Sequence, residues 1–140
     1  MSTIVKIFIF LLFSQLLNAQ TVSGQDITVK INNLESNKGK VYVAVYDSEG
    51  AFLNTRLQST MTKITGNSCE VTFKNIPKGV YAISMFHDEN DNNKMDSNFL
   101  GIPKEDYGCS NNATGFMGPP KWEDAKFEVK DKSITQIITL

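Results

Sequence analysis

The chain has 140 residues, 41% of them hydrophobic, and its 14 basic and 15 acidic side chains leave a formal charge of −1. That length is about the modal size of one domain, enough to bury roughly two thirds of the unfolded surface without a covalent staple. Its lysines are scattered among acids, so there is no basic footprint for nucleic acid and no polybasic patch for a membrane, which argues against polyanionic partners.

The chain opens with Lys6 ahead of an apolar run from Ile7 to Leu17, then Asn18 and Ala19 before Gln20. A charged start, a short apolar centre and small residues at the cut are the requirements of a secretory signal peptide, and the run is short for a bilayer span. Residues 1–19 are therefore expected to be a removable leader. No cysteine follows the cut, so lipid attachment is not expected there. Residues 20–140 should form one exported domain, with no integral membrane segment once the leader is gone.

Alternation of apolar and polar residues marks the strands that follow. Ile27, Val29 and Ile31 form the first. Val41, Val43 and Val45, interleaved with Tyr42, Ala44 and Tyr46, make a second that is apolar on both faces and so central. Asp47 to Gly50 ends it, and 51–57 is read as a connection. Thr60–Ile64 is a short third strand, rich in threonine. Cys69, Val71 and Phe73 alternate cleanly in a fourth. Asn75-Ile76-Pro77-Lys78-Gly79 places Pro and Gly where a turn needs them, which predicts a hairpin into a fifth strand over 80–86. From Asp88 to Lys121 no period is visible, and such a length without regular structure is expected to be functional or pinned. Ala125, Phe127 and Val129, then Ile134, Ile137 and Ile138, supply the last two strands. The expected fold is all-β: an antiparallel seven-stranded β-sandwich of immunoglobulin-like or transthyretin-like type, with one long irregular insertion before the last two strands.

Cys69 and Cys109 would enter an oxidising compartment, where an even count favours pairing. A bridge would tether the irregular segment to the sheet and contribute on the order of 3 kcal/mol by loop closure. The alternative is two separate thiols, one of them a buried small hydrophobe.

Asp88, Asn90, Asn92 and Asp96 fall at the first, third, fifth and ninth places of a calcium-loop pattern. Alternate oxygen-bearing side chains on a tightly turning backbone converge on one point, and Ca²⁺ accepts six to eight such ligands at about 2.4 Å. Two places depart from the pattern. Asn93 stands where Gly is usual, and Phe99 where a bidentate Glu is expected, so Glu105 or Asp106 would have to fold back to complete the shell. The competing reading is an Asx-rich turn whose side chains cap their own backbone. His87 continues the apolar face of Tyr81, Ile83 and Met85, where a histidine is most often a hydrogen-bonded core residue. Tyr107, Phe116 and Trp122, set among Gly and Pro, are read either as lids over an open end of the sandwich or, with His87, as the lining of a cleft for a sugar, peptide or other ligand.

Taken together, Pro77-Lys78-Gly79-Val80-Tyr81-Ala82, His87-Asp88-Glu89-Asn90, Lys94-Met95-Asp96, Gly101-Ile102-Pro103-Lys104-Glu105, Tyr107-Gly108, Ser110-Asn111-Asn112, Gly118-Pro119-Pro120 and Asp124-Ala125 resemble the uncharacterised bacterial family named domain of unknown function 2141. The resemblance covers essentially the whole expected mature chain. It implies a β-sandwich exported to the periplasm or cell surface, and no established activity. This chain departs from the pattern at Cys109, where the family carries an aromatic residue, and at Asn93, where it often has Gly.

Two functional expectations follow. The first is a non-enzymatic exported binding or structural module whose 88–96 loop binds Ca²⁺ or caps itself, with the following segment as its contact surface. The second is a periplasmic hydrolase-like enzyme using His87 with Asp88 or Glu105. Neither the ligand, the protein partner nor the oligomeric state is written in the sequence.

Overall fold

The structure, a computed structural model, describes residues 23–140; the leader expected over residues 1–19 lies outside the described residues. Eight strands follow in chain order: β1 Gln25–Asn32, β2 Lys40–Tyr46, β3 Gln58–Thr62, β4 Cys69–Ile76, β5 Gly79–Asp88, β6 Tyr107–Cys109, β7 Phe127–Val129 and β8 Ile134–Thr139. One helical turn, α1 (Trp122–Ala125), and an irregular turn at Ser110–Asn112 are the only helical pieces after β6. Among the described residues no helix is long and apolar enough to cross a membrane.

The strands form two sheets. One has the order β4-β1-β8; the other runs β3-β2-β5, with β6 and β7 both on the far edge of β5. The alternation read in the sequence is what drives this. Ile27, Val29 and Ile31 of β1 are fully buried, as are Val41 and Val45 of β2 and Ile83 of β5. These side chains, joined by Val71, Phe73, Met85, Val129 and Ile138, make one apolar cluster drawn from both sheets, so the architecture is sandwich-like. β2 is central as expected, between β3 and β5.

Three features differ from expectation. First, β4 and β5 are not a hairpin. β4 pairs with β1, whereas β5 pairs with β2 in the other sheet. The cause is a bulge: Gln25 and Ile27 of β1 face Ile76 and Phe73, so β4 carries one extra residue. Lys74 and Asn75 are consecutively exposed there, and Asn75 has a φ of 56°. A bulge of this kind bends a strand and lets the chain change sheets. Second, an eighth strand, β6, lies inside the segment expected to be irregular, pairing Tyr107 with Phe86 and Cys109 with Ser84. Third, the ladder is not wholly antiparallel, because β1 and β8 run parallel with Ile27 opposite Ile134.

The outer face of the five-stranded sheet carries a second apolar cluster of Tyr46, Ala82, Cys109, Trp122 and Ala125. Phe52 meets the rings of Tyr46 and Trp122 edge-on, at centroid distances of 5.5 and 5.8 Å. This arrangement answers the cysteine question. Cys69 packs against the core between the sheets and Cys109 belongs to the outer cluster, so the five-stranded sheet lies between them. Both thiols are free. Of the two readings of the cysteines, the Cys69–Cys109 bridge is absent, because the strand pairing places the two side chains on opposite sides of that sheet.

Candidate functional site

β5 delivers His87 and Asp88 to the end of the sandwich, and both are buried. The His87 ring donates from Nε2 to the carbonyl of Lys38 at 2.7 Å, and the His87 N–H donates to the carbonyl of Asp106. Gly39 makes the approach of that 38–39 turn possible. Its φ is 65°, and a Cβ there would lie 1.9 Å from the Asp88 carbonyl oxygen, so no larger residue fits without moving backbone.

The Asp88 carboxyl is held by backbone. Its Oδ1 accepts the N–H of Asn92 at 3.0 Å and its Oδ2 that of Asn93 at 2.8 Å. Asp91 and Asn93 reach the left-handed region to turn those groups inward, with φ of 60° and 67°. The next layer is side chain to side chain. Asn90 donates its amide to Asp96 at 2.6 Å, and Asn92 donates to both Asp96 oxygens at 3.0 and 2.9 Å. The Asn amide oxygens cap backbone in turn: Asn90 Oδ1 accepts from the N–H of Asn92, and Asn92 Oδ1 from that of Lys94. These amides, Asn92 first and then Asn90, hold the Asp96 carboxyl below the usual carboxylate range. Glu105 does fold back, and it grips backbone, accepting the N–H of Glu89 at 3.2 Å and that of Asp96 at 2.9 Å. Two ties link the loop to β2. Lys40 pairs with Asp91 at 2.8 Å, and Tyr42 donates to Asn93 at 2.6 Å.

The five candidate metal residues Asp88, Asn90, Asn92, Asp96 and Glu105 thus form a connected network whose oxygens are engaged with N–H donors. Among the described residues no group of three or more His, Cys, Asp and Glu side chains is placed to hold a metal ion. A polar recess of about 580 Å³ beside the network is lined by Lys38 and Lys104 as well as Glu89, Asp96 and Glu105, so neither sign of charge dominates it.

A trio that the sequence reading assigned no role secures the remainder of the long segment. The buried Ser110 hydroxyl accepts the N–H of Ile83 at 2.9 Å and donates to the carbonyl of Ala125 at 2.6 Å. Asn111, at a φ of 59°, donates to the carbonyls of Asp124 and Lys126, and its N–H reaches Gln136 Oε1. Asn112 Oδ1 accepts the N–H of Thr139 at 2.9 Å. Three consecutive residues therefore tie β5, the α1 region and β8 together. The detectable signal was chemical: Ser and Asn side chains replace backbone partners, and Asn tolerates positive φ.

Between these two anchors lies a groove of about 890 Å³ on the outer face of the five-stranded sheet. Tyr46, Ser84, Phe86 and Tyr107 line it from the sheet and its neighbourhood, while residues from Met95 to Pro103 and from Gly115 to Pro120 line it from the long segment. Its rim is apolar and open, with Met117 95% exposed and Leu100 68%. Neighbouring Phe99 and Phe116 are 95% and 92% exposed. The four residues read as cleft candidates separate here. Tyr107 lines the groove and Phe116 stands beside it in solvent, but Trp122 is packed into the outer cluster and His87 is buried at the loop anchor.

Comparison with curated proteins finds no match, and comparison with solved structures finds none either. A family model, DUF2141, described as an uncharacterized protein conserved in bacteria, matches residues 29–137, and the chain belongs to that family.

Proposed function

We infer that this protein is an exported, non-enzymatic binding module, a sandwich of immunoglobulin-like or transthyretin-like type that takes its ligand in the groove on the outer face of the five-stranded sheet. One observation carries the reading: a groove of about 890 Å³ whose rim leaves large apolar side chains in water. Concave, mostly apolar sites with a few polar groups are the usual form of a small-molecule site. Exposed apolar residues gathered at one place mark an interaction site rather than ordinary surface. The 88–96 loop and the Ser110–Asn112 pin serve as rigid supports for the two walls. Export to the periplasm or cell surface is supported by the leader pattern and is checked by the intact mass of secreted protein, which should begin near Gln20.

Nile red, a neutral dye that brightens in apolar surroundings, tests the groove. The folded protein should brighten it, and Leu100→Asp with Met117→Asp should weaken binding by about tenfold or more, because a ligand would then bury an unpaired charge. No brightening, or equal brightening by the variant, would remove the reading.

A second reading concerns the loop. Asp96 receives two amide groups, from Asn90 and Asn92, at 2.6 to 3.0 Å. If both amides turned over, their oxygens would face the same point as the carboxylate, which is the chemistry Ca²⁺ accepts. Calorimetry at millimolar Ca²⁺ should then give heat that Asp96→Asn abolishes; silence leaves the loop self-capped. The hydrolase alternative has less support, since His87 is bonded to Lys38 while Asp88 and Glu105 are bonded to backbone N–H groups.

A further inference from the structure

Although 29 of the 140 side chains are charged, counting 14 basic and 15 acidic, none of the residues lining the groove is. A carboxylate or ammonium entering it would leave water for a surface that offers no counter-charge, which is costly. Sugar recognition is poorly served as well, because no Asp, Glu, Asn or Gln side chain is present to receive a ring of hydroxyls. What the groove does present is one polar pair. Tyr46 Oη and Ser84 Oγ lie 3.0 Å apart, Tyr46 is buried, and both line the groove. Two hydroxyls bonded to each other use one O–H and leave the second free to donate, with lone pairs spare on both oxygens. That pair can meet one carbonyl or one hydroxyl.

The walls narrow the class further. Met95 and Met117 both line the groove, one in each wall that the long segment supplies. Methionine is unbranched and adapts its shape, so such a wall suits a flexible aliphatic chain better than a rigid ring. The Cys109 thiol in the same lining is pushed up to about 11 by burial, so it is a packing group there and not a nucleophile.

We propose that the groove binds an uncharged single-chain amphiphile, of the acylglycerol or fatty-alcohol class, with the aliphatic chain between the methionine-bearing walls and its carbonyl or hydroxyl on Tyr46 and Ser84. This rests on the binding-module reading above and adds the ligand class. The probes are 1-monolauroylglycerol, laurate and a short Leu/Phe-rich peptide, each titrated at pH 8 against the Nile red complex of the purified protein, with the single tryptophan, Trp122, as a second reporter.

Monolauroylglycerol should displace the dye at least about tenfold more tightly than laurate, which carries the same chain with a charge. Tyr46→Phe should weaken the glyceride about fivefold more than it weakens Nile red, the effect of one neutral hydrogen bond. Ser84→Ala, which removes the smaller partner, should do the same if Tyr46→Phe disturbs the fold. Laurate equal to the glyceride, glyceride binding indifferent to both variants, or displacement by the peptide alone would overturn the ligand class while the binding module stands. Failure of Nile red to bind the native protein at all would overturn the module itself.

Discussion

The space between the two sheets and the segment from Glu89 to Lys126 are held by opposite means. Between the sheets, Ile27, Val29, Ile31, Val41, Val45 and Ile83 have no solvent exposure and make no side-chain hydrogen bonds. Burial of apolar area is what stabilises that region, at roughly 25 cal/mol per Å² removed from water. The long segment has few buried apolar side chains and closes through polar ones: Asp88, Glu105, Ser110, Asn111 and Asn112 all bond backbone groups. The difference teaches how a short connection and a long one are stabilised differently. A strand can lend its backbone groups to a neighbour, whereas a loop of this length must find partners for them singly.

The largest effect should come from the core. Ile83→Ala removes a fully buried side chain at the centre of β5 and should cost about 3 to 4 kcal/mol, read as a fall in the urea midpoint of the whole domain. Asp88→Ala comes next, at about 3 kcal/mol, since two N–H groups lose their acceptor. Ser110→Ala strands the Ile83 N–H and the Ala125 carbonyl and should cost about 2 kcal/mol. The comparison is sharpened by where the loss appears. Hydrogen exchange in Asp88→Ala should rise over 89–106 while β1, β2 and β8 keep their protection. Equal loosening of both regions would mean that the segment and the core unfold as one unit, and the contrast would fail.

A smaller effect is expected at the thiols. Burial pushes Cys69 and Cys109 up to about 11, so both stay protonated at pH 8. Without reductant, the unfolded protein should take up two iodoacetamide groups and the folded protein should react slowly. An acid whose folded pKa is raised leaves stability intact below the unfolded value of about 9 and reduces it as pH climbs toward 11. A mass two hydrogens short, or no uptake on unfolding, would restore the disulfide.

The same contrast explains what could be read from the sequence. Period-two alternation exposed β1, β2, β4, β5 and β7, and the double-sided apolar run of β2 announced its central place. Pairing was less legible. The turn residues Pro77 and Gly79 look alike whether a chain doubles back or crosses to the facing sheet, and the deciding feature was the exposed Lys74-Asn75 step with its positive φ. β6 was missed because Tyr107-Gly108-Cys109 is too short to show a period; its place depends on Ser110 and on the close fit of Gly108, where a Cβ would come within 2.6 Å of Ile138 Cγ2. The spacing of Asp88, Asn90, Asn92 and Asp96 was visible, but not which end of each amide would face Asp96. The groove was invisible for a different reason: Tyr46, Ser84 and Pro119 come from separate stretches with no shared period, and only the strand pairing brings them to one face.

The smallest effect is the one that isolates the loop from everything else. Asp96 gains two amide partners on folding, which lowers its carboxyl pKa, so its contribution is present above the unfolded carboxylate value and fades as pH falls through the lower folded value. Because the group lies at the surface, the change should barely move the urea midpoint. It should be seen instead in the amide N–H groups of 90–96, whose exchange, corrected for its intrinsic pH dependence, should quicken as pH falls below the ordinary carboxylate value of 3.8. Asp96→Asn should remove that dependence and leave the Asp88 bonds to Asn92 and Asn93 in place. If the corrected exchange stays flat with acid, the amides do not depend on the Asp96 charge, and the loop is held by Asp88, Glu105 and the Lys40 and Tyr42 ties without it.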